Sequence, residues 1–191
     1  MTDAAATVDR WPASHAGLQL RKGPACWAYA MVNAAISAGV PEAERFSADA
    51  LFRLACEIDG VDPEINRTRG TTGSAILDAF SRLVPDRTPL PISPATAESW
   101  VRDYGPVAAS LRWRYPRVGV VGSTLRRQPG IGDGTHSVAL VGHDPRHRTG
   151  LFSSRPCFLV MDSTRPSFQL WLPVADFTLD SVECFGFTAN K

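Results

Sequence analysis

A proline-rich segment at residues 85–94 divides the chain into two halves with different hydrophobic patterns. It holds four prolines in ten residues, and proline neither continues a helix nor donates a hydrogen bond inside a sheet. Before it, apolar residues recur at helical spacing; after it, they form short runs typical of strands. Helices followed by strands predict an α+β chain, in which a helical N-terminal lobe packs on an antiparallel β C-terminal lobe.

The same patterns predict the order of the elements and the extent of the lobes. Residues 1–15 are small and polar and predict a flexible N-terminal arm. One domain follows over residues 16–191, with the helical lobe at about 16–104 and the β lobe at about 105–191. The predicted helices are 26–38, 47–58, 73–83 and 95–104, and the predicted strands are 107–113, 136–143, 157–161, 168–172 and 183–188.

Composition narrows the functional classes. The chain has 191 residues, 44% of them hydrophobic, and 20 basic and 19 acidic residues give a net charge of +1. This balance argues against a nucleic-acid partner. No apolar run approaches the roughly 20 residues that span a bilayer, so no membrane insertion is expected. The first ten residues lack a secretory signal, which predicts a cytoplasmic protein or one delivered into another cell without a cleaved signal.

The four cysteines give one candidate nucleophile. Cys26, Cys56, Cys157 and Cys184 are too widely spaced for a zinc site and too few for a disulfide framework, so no metal and no cofactor is expected. A lone cysteine is usually a small buried hydrophobic residue. Cys26 differs because it opens a predicted helix, where unpaired N–H groups and the helix dipole favour a thiolate.

A base and an orienting group can be chosen from the β half. The candidate bases are His15, His136, His143 and His147. Only His136 begins a strand directly after a glycine-rich loop, where a side chain is held firmly and substrate can approach. Asp162 follows an apolar strand and could accept a hydrogen bond from the second ring nitrogen of His136. A simple turn-forming aspartate is an equally good interpretation of Asp162.

Five stretches, in order, resemble the papain-like cysteine peptidases. Gly23-Pro24-Ala25-Cys26-Trp27-Ala28-Tyr29-Ala30 is similar to the nucleophile motif of the family, and Thr135 to His143 is similar to its catalytic-histidine strand. The other stretches are Phe46 to Phe80, Tyr104 to Leu111, and Val160 to Ser163. The resemblance covers about residues 17–177. It implies a papain-like fold with the active site in the cleft between the lobes, in a compact member of bacterial type.

The resemblance also implies roles for the residues of the site. Cys26 is the expected nucleophile, His136 the general base and Asp162 the orienting group, although the family normally has asparagine at that position. Gln19 is the candidate for the oxyanion hole. It lies seven residues before Cys26 instead of the six usual in the family, so either the backbone bulges or the Cys26 N–H carries more of this role.

Substrate binding is expected from both lobes. By the same resemblance Gly70, Thr72 and Gly73 would bind an extended peptide substrate in the cleft. Trp171 is expected either to shield the His–Asp pair or to be an ordinary core aromatic. The family disulfide would join positions 23 and 71, which are Gly23 and Thr71 here, so this bridge is absent, as expected in a reducing compartment.

The implied activity is hydrolysis of peptide bonds in a protein substrate through a thioester intermediate. A deamidase or transglutaminase acting on glutamine side chains would share the steps up to the acyl-enzyme, and a catalytically idle binding module is a further alternative. The chain also shows no long inhibitory pro-segment ahead of the domain. This suggests a bacterial effector or toxin restrained by an inhibitor or immunity protein, with a housekeeping peptidase as the plainer alternative.

Overall fold

A computed structural model gives the architecture of the chain. The residues that it describes are 7–12, 25–40, 43, 47–64, 93–103, 105–112, 117–118, 124–126 and 135–186. The helices within these ranges are α1 (Cys26–Ser37), α2 (Ala48–Ile58), α3 (Pro94–Asp103) and α4 (Val174–Asp180). The strands are β1 (Val8–Asp9), β2 (Val107–Arg112), β3 (Arg117–Val118), β4 (Leu125–Arg126), β5 (Thr135–Arg148), β6 (Ser154–Met161), β7 (Leu170–Pro173) and β8 (Ser181–Gly186).

Helix α1 is buried along most of its length. Alanine has the highest helix propensity, and its small side chain lets a helix lie close to a sheet. Ala28, Ala30, Ala34 and Ala35 are all buried, with bulkier neighbours between them. The helix ends before Gly39, whose φ of 69° is a left-handed conformation that glycine adopts without strain. Because this alanine-rich helix packs closely against the sheet, the position of its first residue, Cys26, is fixed.

The second half of the chain forms most of an antiparallel sheet. Its strand order is β7-β6-β5-β2-β8, with β1 pairing on β5, while β3 and β4 form a separate two-stranded ribbon. All the pairings among these strands are antiparallel. Strand β5 is the longest, at 14 residues, and it pairs with β1, β2 and β6. The architecture is a mixture of helices and antiparallel sheet, in agreement with the predicted α+β class.

Both faces of the sheet are covered, because successive side chains of a strand point to opposite faces. Ala139 and Val141 of β5 belong to the core that contains α1 and α2. Val138 and Leu140 belong to a second core, which contains Val101 of α3. Strand β5 thus lies between two apolar layers, and its residues are firmly held.

The structure differs from the sequence prediction in two elements. Strand β5, predicted to end at residue 143, continues to Arg148, and its ladder with β6 shifts register around Pro145. A register shift accommodates the N–H that proline lacks. Helix α4, between β7 and β8, was not predicted. The predicted helix at 73–83 lies outside the described residues.

Part of the predicted N-terminal arm is a strand. Val8 and Asp9 pair with His143 and Gly142, and the Arg10 amide donates to the Val141 carbonyl at 3.0 Å. Trp11 packs against the core beside α1. The expectation of a flexible arm therefore does not hold for residues 7–12, because Val8 pairs with β5 and Trp11 packs against the core.

Among the helices of the described ranges, none combines the length and the apolar character needed to cross a membrane.

Candidate active site

The thiol of Cys26 lies at the N-terminus of α1. The helix begins at Cys26 itself, after Ala25 at the N-cap, and alanine has no side-chain acceptor for the first N–H groups. The first turn contains no acidic residue. Free N–H groups and the positive end of the helix dipole are therefore available to a negative charge on the sulfur. The Ser137 amide, from β5, also donates to Cys26 Sγ at 3.4 Å.

The pairing of β5 with β6 brings His136 to Asp162. The register sets Ala139 opposite Met161, so the start of β5 lies beside the end of β6. His136 Nε2 is 3.0 Å from Asp162 Oδ1. The side chain of His136 is 17% exposed and that of Asp162 is 6% exposed. The imidazole can thus be reached from outside, whereas the carboxylate lies behind it.

Asp162 Oδ1 accepts two further hydrogen bonds from one residue. The amide of Thr164 donates at 2.9 Å and its hydroxyl at 2.8 Å. The Arg165 amide also donates to the Asp162 carbonyl at 2.9 Å, which closes a turn. The two interpretations of Asp162 that the sequence left open are thus compatible, since the same residue forms a turn and faces His136. Donors fixed on Oδ1 stabilise the ionised carboxylate.

The surroundings of Cys26 favour its thiolate. Burial alone would raise the pKa of the thiol. The hydrogen bond and charge of His136, together with hydrogen bonds from Ser137, outweigh burial, and the pKa of Cys26 is lowered below its ordinary value. Because Nε2 of His136 faces Asp162, Nδ1 is the ring nitrogen left for the sulfur.

The surroundings of His136 favour the imidazolium. Burial would lower the pKa of His136, but Asp162 on one side and Cys26 on the other raise it to about 10. The pKa of Asp162 moves the opposite way: burial would raise it, yet His136 and Thr164 bring it below its usual value. At neutral pH the arrangement therefore has an imidazolium beside a carboxylate, and the ionisation of Cys26 is shifted toward the thiolate. A thiolate is the form of cysteine that attacks carbonyl carbon.

The cluster is described for Cys26, His136 and Asp162 among the predicted site residues. Gln19, Gly70, Thr72 and Gly73 lie outside the described residues. Trp171 stacks on His147, with ring centroids 4.2 Å apart and an interplanar angle of 16°, and it also packs against the core beside α1. This ring contact involves a different histidine from His136, so the shielding role of Trp171 stays a prediction.

Two residues of the site were not predicted. Thr164 binds the carboxylate of Asp162, and its position two residues after an aspartate is a usual pattern for a local side-chain turn. Ser137 contacts the sulfur, and no pattern in the sequence distinguishes it from an ordinary strand serine.

Among the residues that the structure describes, no group of three or more His, Cys, Asp or Glu side chains could hold a metal ion.

This fold, which has the site at the start of β5 and the end of β6, is similar to that of a papain-like cysteine protease. The solved structure in question is the proform of Amb a 11, a cysteine protease and major pollen allergen of ragweed. The two structures superpose with a TM-score of 0.54 and 16% sequence identity, over 99% of this chain and 67% of the ragweed chain. At this identity the likeness shows the fold. No protein-family model and no curated protein matches the chain.

Proposed function

We propose that the protein is a cysteine peptidase that hydrolyses peptide bonds of a protein substrate with Cys26, His136 and Asp162. The observation that supports this most directly is the shared imidazole. His136 interacts with the helix-terminal thiol on one side and with the Asp162 carboxylate, 3.0 Å away, on the other. A nucleophile, a base and an orienting acceptor in this order are the parts that acyl transfer requires.

The proposed reaction has two halves. The Cys26 thiolate attacks the carbonyl carbon of the scissile bond, and a C–S bond forms. His136 gives its Nδ1 proton to the leaving amine as the C–N bond breaks, which leaves a thioester. His136, now neutral, removes a proton from water, and the hydroxide attacks the thioester. The carboxylic acid product and the Cys26 thiolate are released, and His136 is again protonated.

Asp162 acts by orientation and charge in this proposal. Its carboxylate accepts from Nε2, which fixes the ring so that Nδ1 faces the sulfur. The substrate would lie between the helical and β lobes, with Gly70, Thr72 and Gly73 on its far side and Gln19 at the oxyanion. Similarity of the fold to that of a cysteine protease supports the reaction class.

The experiment that tests the proposal catalogues new protein termini. A denatured proteome is incubated with the wild-type protein and with Cys26→Ala, and free N-termini are identified by mass spectrometry. We expect new termini with wild type alone, and their flanking sequences would define the substrate motif. Glutamine residues converted to glutamate or cross-linked to amines, without new termini, would instead indicate a deamidase or a transglutaminase. No change of either kind would contradict catalysis.

Cys157 provides a matched control. It is fully buried in β6, and burial raises the pKa of its thiol to about 12. Cys157→Ala should therefore keep full activity, because this thiol is not ionised at neutral pH. A loss of activity in Cys157→Ala equal to that in Cys26→Ala would show that cysteine removal acts through stability.

A further inference from the structure

Two serines pair across neighbouring strands on the face of the sheet that packs against α1. Ser110 of β2 and Ser137 of β5 are direct register partners, and their hydroxyl oxygens are 2.9 Å apart. Side chains two residues apart share a face of the sheet. Ser110 and Ser137 thus lie on the same face as Ala108 and Ala139, which pack in the core with α1. This is the face against which the helix that begins at Cys26 is docked.

Ser137 contacts the sulfur through its backbone, and its side chain acts on the same atom. The amide donates to Cys26 Sγ at 3.4 Å. Both the amide and the hydroxyl of Ser137 favour the charged sulfur and lower the pKa of Cys26. Ser137 is only 6% exposed, so little water competes for its hydroxyl. A hydroxyl held beside a buried sulfur is well placed to stabilise negative charge on it.

The number of protons limits how the two hydroxyls can be arranged. Each serine has one O–H to donate. If Ser137 donates to the Cys26 thiolate, its oxygen is free to accept, and Ser110 can donate to it. This gives a chain from Ser110 to Ser137 to the sulfur, in which each hydrogen bond polarises and strengthens the next.

We propose that Ser137 stabilises the Cys26 thiolate through its hydroxyl, and that Ser110 is a positioning residue that turns the Ser137 hydroxyl toward the sulfur. The inference rests on the proposed function, since it concerns the same nucleophile. It assigns to this pair a part in the reaction that the Cys–His–Asp arrangement does not supply.

The hydrogen bonds from Ser110 to Ser137 and from Ser137 to the sulfur depend on the charge of the sulfur. In the thioester the sulfur carries no negative charge and is a poor acceptor, so the Ser137 hydroxyl donates to Ser110 instead. When water attacks the thioester, negative charge returns to the sulfur as the thiolate leaves, and the chain forms again. Interactions that strengthen as charge develops lower the barrier of that step. The serine pair thus favours hydrolysis of the thioester over its accumulation.

The competing explanation is that the buried Ser137 hydroxyl and the half-buried Ser110 hydroxyl only satisfy each other's hydrogen bonding across a strand pair. In that case removal of either hydroxyl changes stability but not the ionisation of Cys26. The pH dependence of Cys26 alkylation separates the two explanations, because it follows the thiolate fraction. It also needs no substrate.

The experiment measures the rate of alkylation of Cys26 by iodoacetamide from pH 3 to 11, with the Cys26 peptide quantified by mass spectrometry. Loss of one hydrogen bond to a charged group predicts an apparent pKa about 1 unit higher in Ser137→Ala than in wild type. Ser110→Ala is expected to shift the same way by less, and Ser110→Thr, which keeps the hydroxyl, should restore the wild-type profile. Because Ser110 acts through Ser137, the double variant should match Ser137→Ala.

Ser37→Ala is the matched control, since this half-buried hydroxyl donates to the Met161 sulfur at 3.9 Å near the far end of α1. Its profile should equal that of wild type. An unshifted Ser137→Ala profile beside a low wild-type pKa would overturn the serine inference and leave the proposed function standing. A wild-type pKa near the ordinary value of about 8.5 would overturn both. If Ser137→Ala does not fold, the contrast between Ser110→Ala and Ser110→Thr decides, and equal profiles reject the inference.

Discussion

At the scale of single residues, the proposed chemistry depends on two groups whose pKa values are shifted by each other. The pKa of the Cys26 thiol is lowered and that of the His136 imidazole is raised to about 10, because each stabilises the charge of the other. A helix start and a glycine-rich loop in the sequence indicated Cys26 and His136, and the family resemblance gave a role to Asp162, which the local pattern left open. The Asp162–Thr164 contact follows a local turn pattern that the sequence contains. Ser137 could not be chosen, since its role depends on which atoms meet between the sheet and α1.

Replacement of His136 should return Cys26 to ordinary or weaker reactivity. His136→Ala removes both the hydrogen bond and the positive charge that lower the pKa of the thiol, and burial then raises that pKa. We expect the pH profile of alkylation to move above the wild-type profile by about 2 units or more. His147→Ala, in the same strand, should leave it unchanged. A His136→Ala profile equal to wild type would remove the proposed ion pair.

Removal of the charge on Asp162 should shift the alkaline limit of activity. Asp162→Asn keeps an oxygen acceptor for Nε2 but removes the carboxylate, which helps raise the pKa of His136 to about 10. That pKa should fall by about 1 to 2 units. As the pH rises, the imidazolium then loses its proton earlier, so the alkaline limit of activity moves to a lower pH. The check is titration of the His136 ring by NMR, together with the pH profile of cleavage. An unchanged His136 pKa would show that Asp162 has no electrostatic role.

At the scale of elements, the site depends on how strands and helices end. Helix α1 begins at Cys26, β5 begins one residue before His136, and β6 ends one residue before Asp162. The hydrophobic periodicity predicted these elements because their interiors are apolar. It did not predict β1 or the extension of β5 to Arg148. Strand β1 is extended because it pairs with Gly142 and His143, and the end of β5 is extended because it pairs with β6. A local sequence pattern does not contain that information.

The contact between β1 and β5 can be tested at Gly142. A Cβ at this position would meet the Val8 carbonyl oxygen and would lie 3.2 Å from the Cβ of Leu159. Gly142→Ala should therefore destabilise the protein by about 1–3 kcal/mol, as overpacking does, and release residues 7–12 from the sheet. Chemical denaturation would measure the first effect, and limited proteolysis near residue 10 the second. Gly60→Ala is the control: nothing lies within 4 Å, so only its φ of 64° opposes the change and the N-terminal segment should stay protected.

At the scale of the whole molecule, one fully buried histidine has no role in the proposed reaction. His143 of β5 is 0% exposed, and neither of its ring nitrogens has a hydrogen-bond partner among the described residues. It contacts the ring of Phe158, and its Nε2 is 3.9 Å from Glu98 of α3. Burial lowers the pKa of His143, and Arg102 adds to this, while Glu98 and Asp144 oppose it.

This buried histidine predicts a loss of stability in mild acid. Since its pKa is lower in the folded state, the unfolded chain binds the proton more strongly. Stability is therefore full above about pH 6.5 and declines as the pH falls toward the folded-state pKa. His143→Phe should remove that part of the decline in melting temperature between pH 7 and pH 5. His147→Gln, the control in the same strand, should keep most of it, and an equal decline in wild type and His143→Phe would contradict the assignment.

The distance along the chain between the two sides of the site has a consequence for synthesis. Cys26 and Ser137, which share a hydrogen bond, are 111 residues apart in sequence, and His136 and Asp162 are 26 apart. Contacts between such distant residues form only after the intervening chain is present. On a ribosome, a nascent chain that has not yet released β5 and β6 carries a cysteine with no imidazole beside it. Full reactivity of this thiol therefore requires that translation has passed Asp162 and that the sheet has packed against α1.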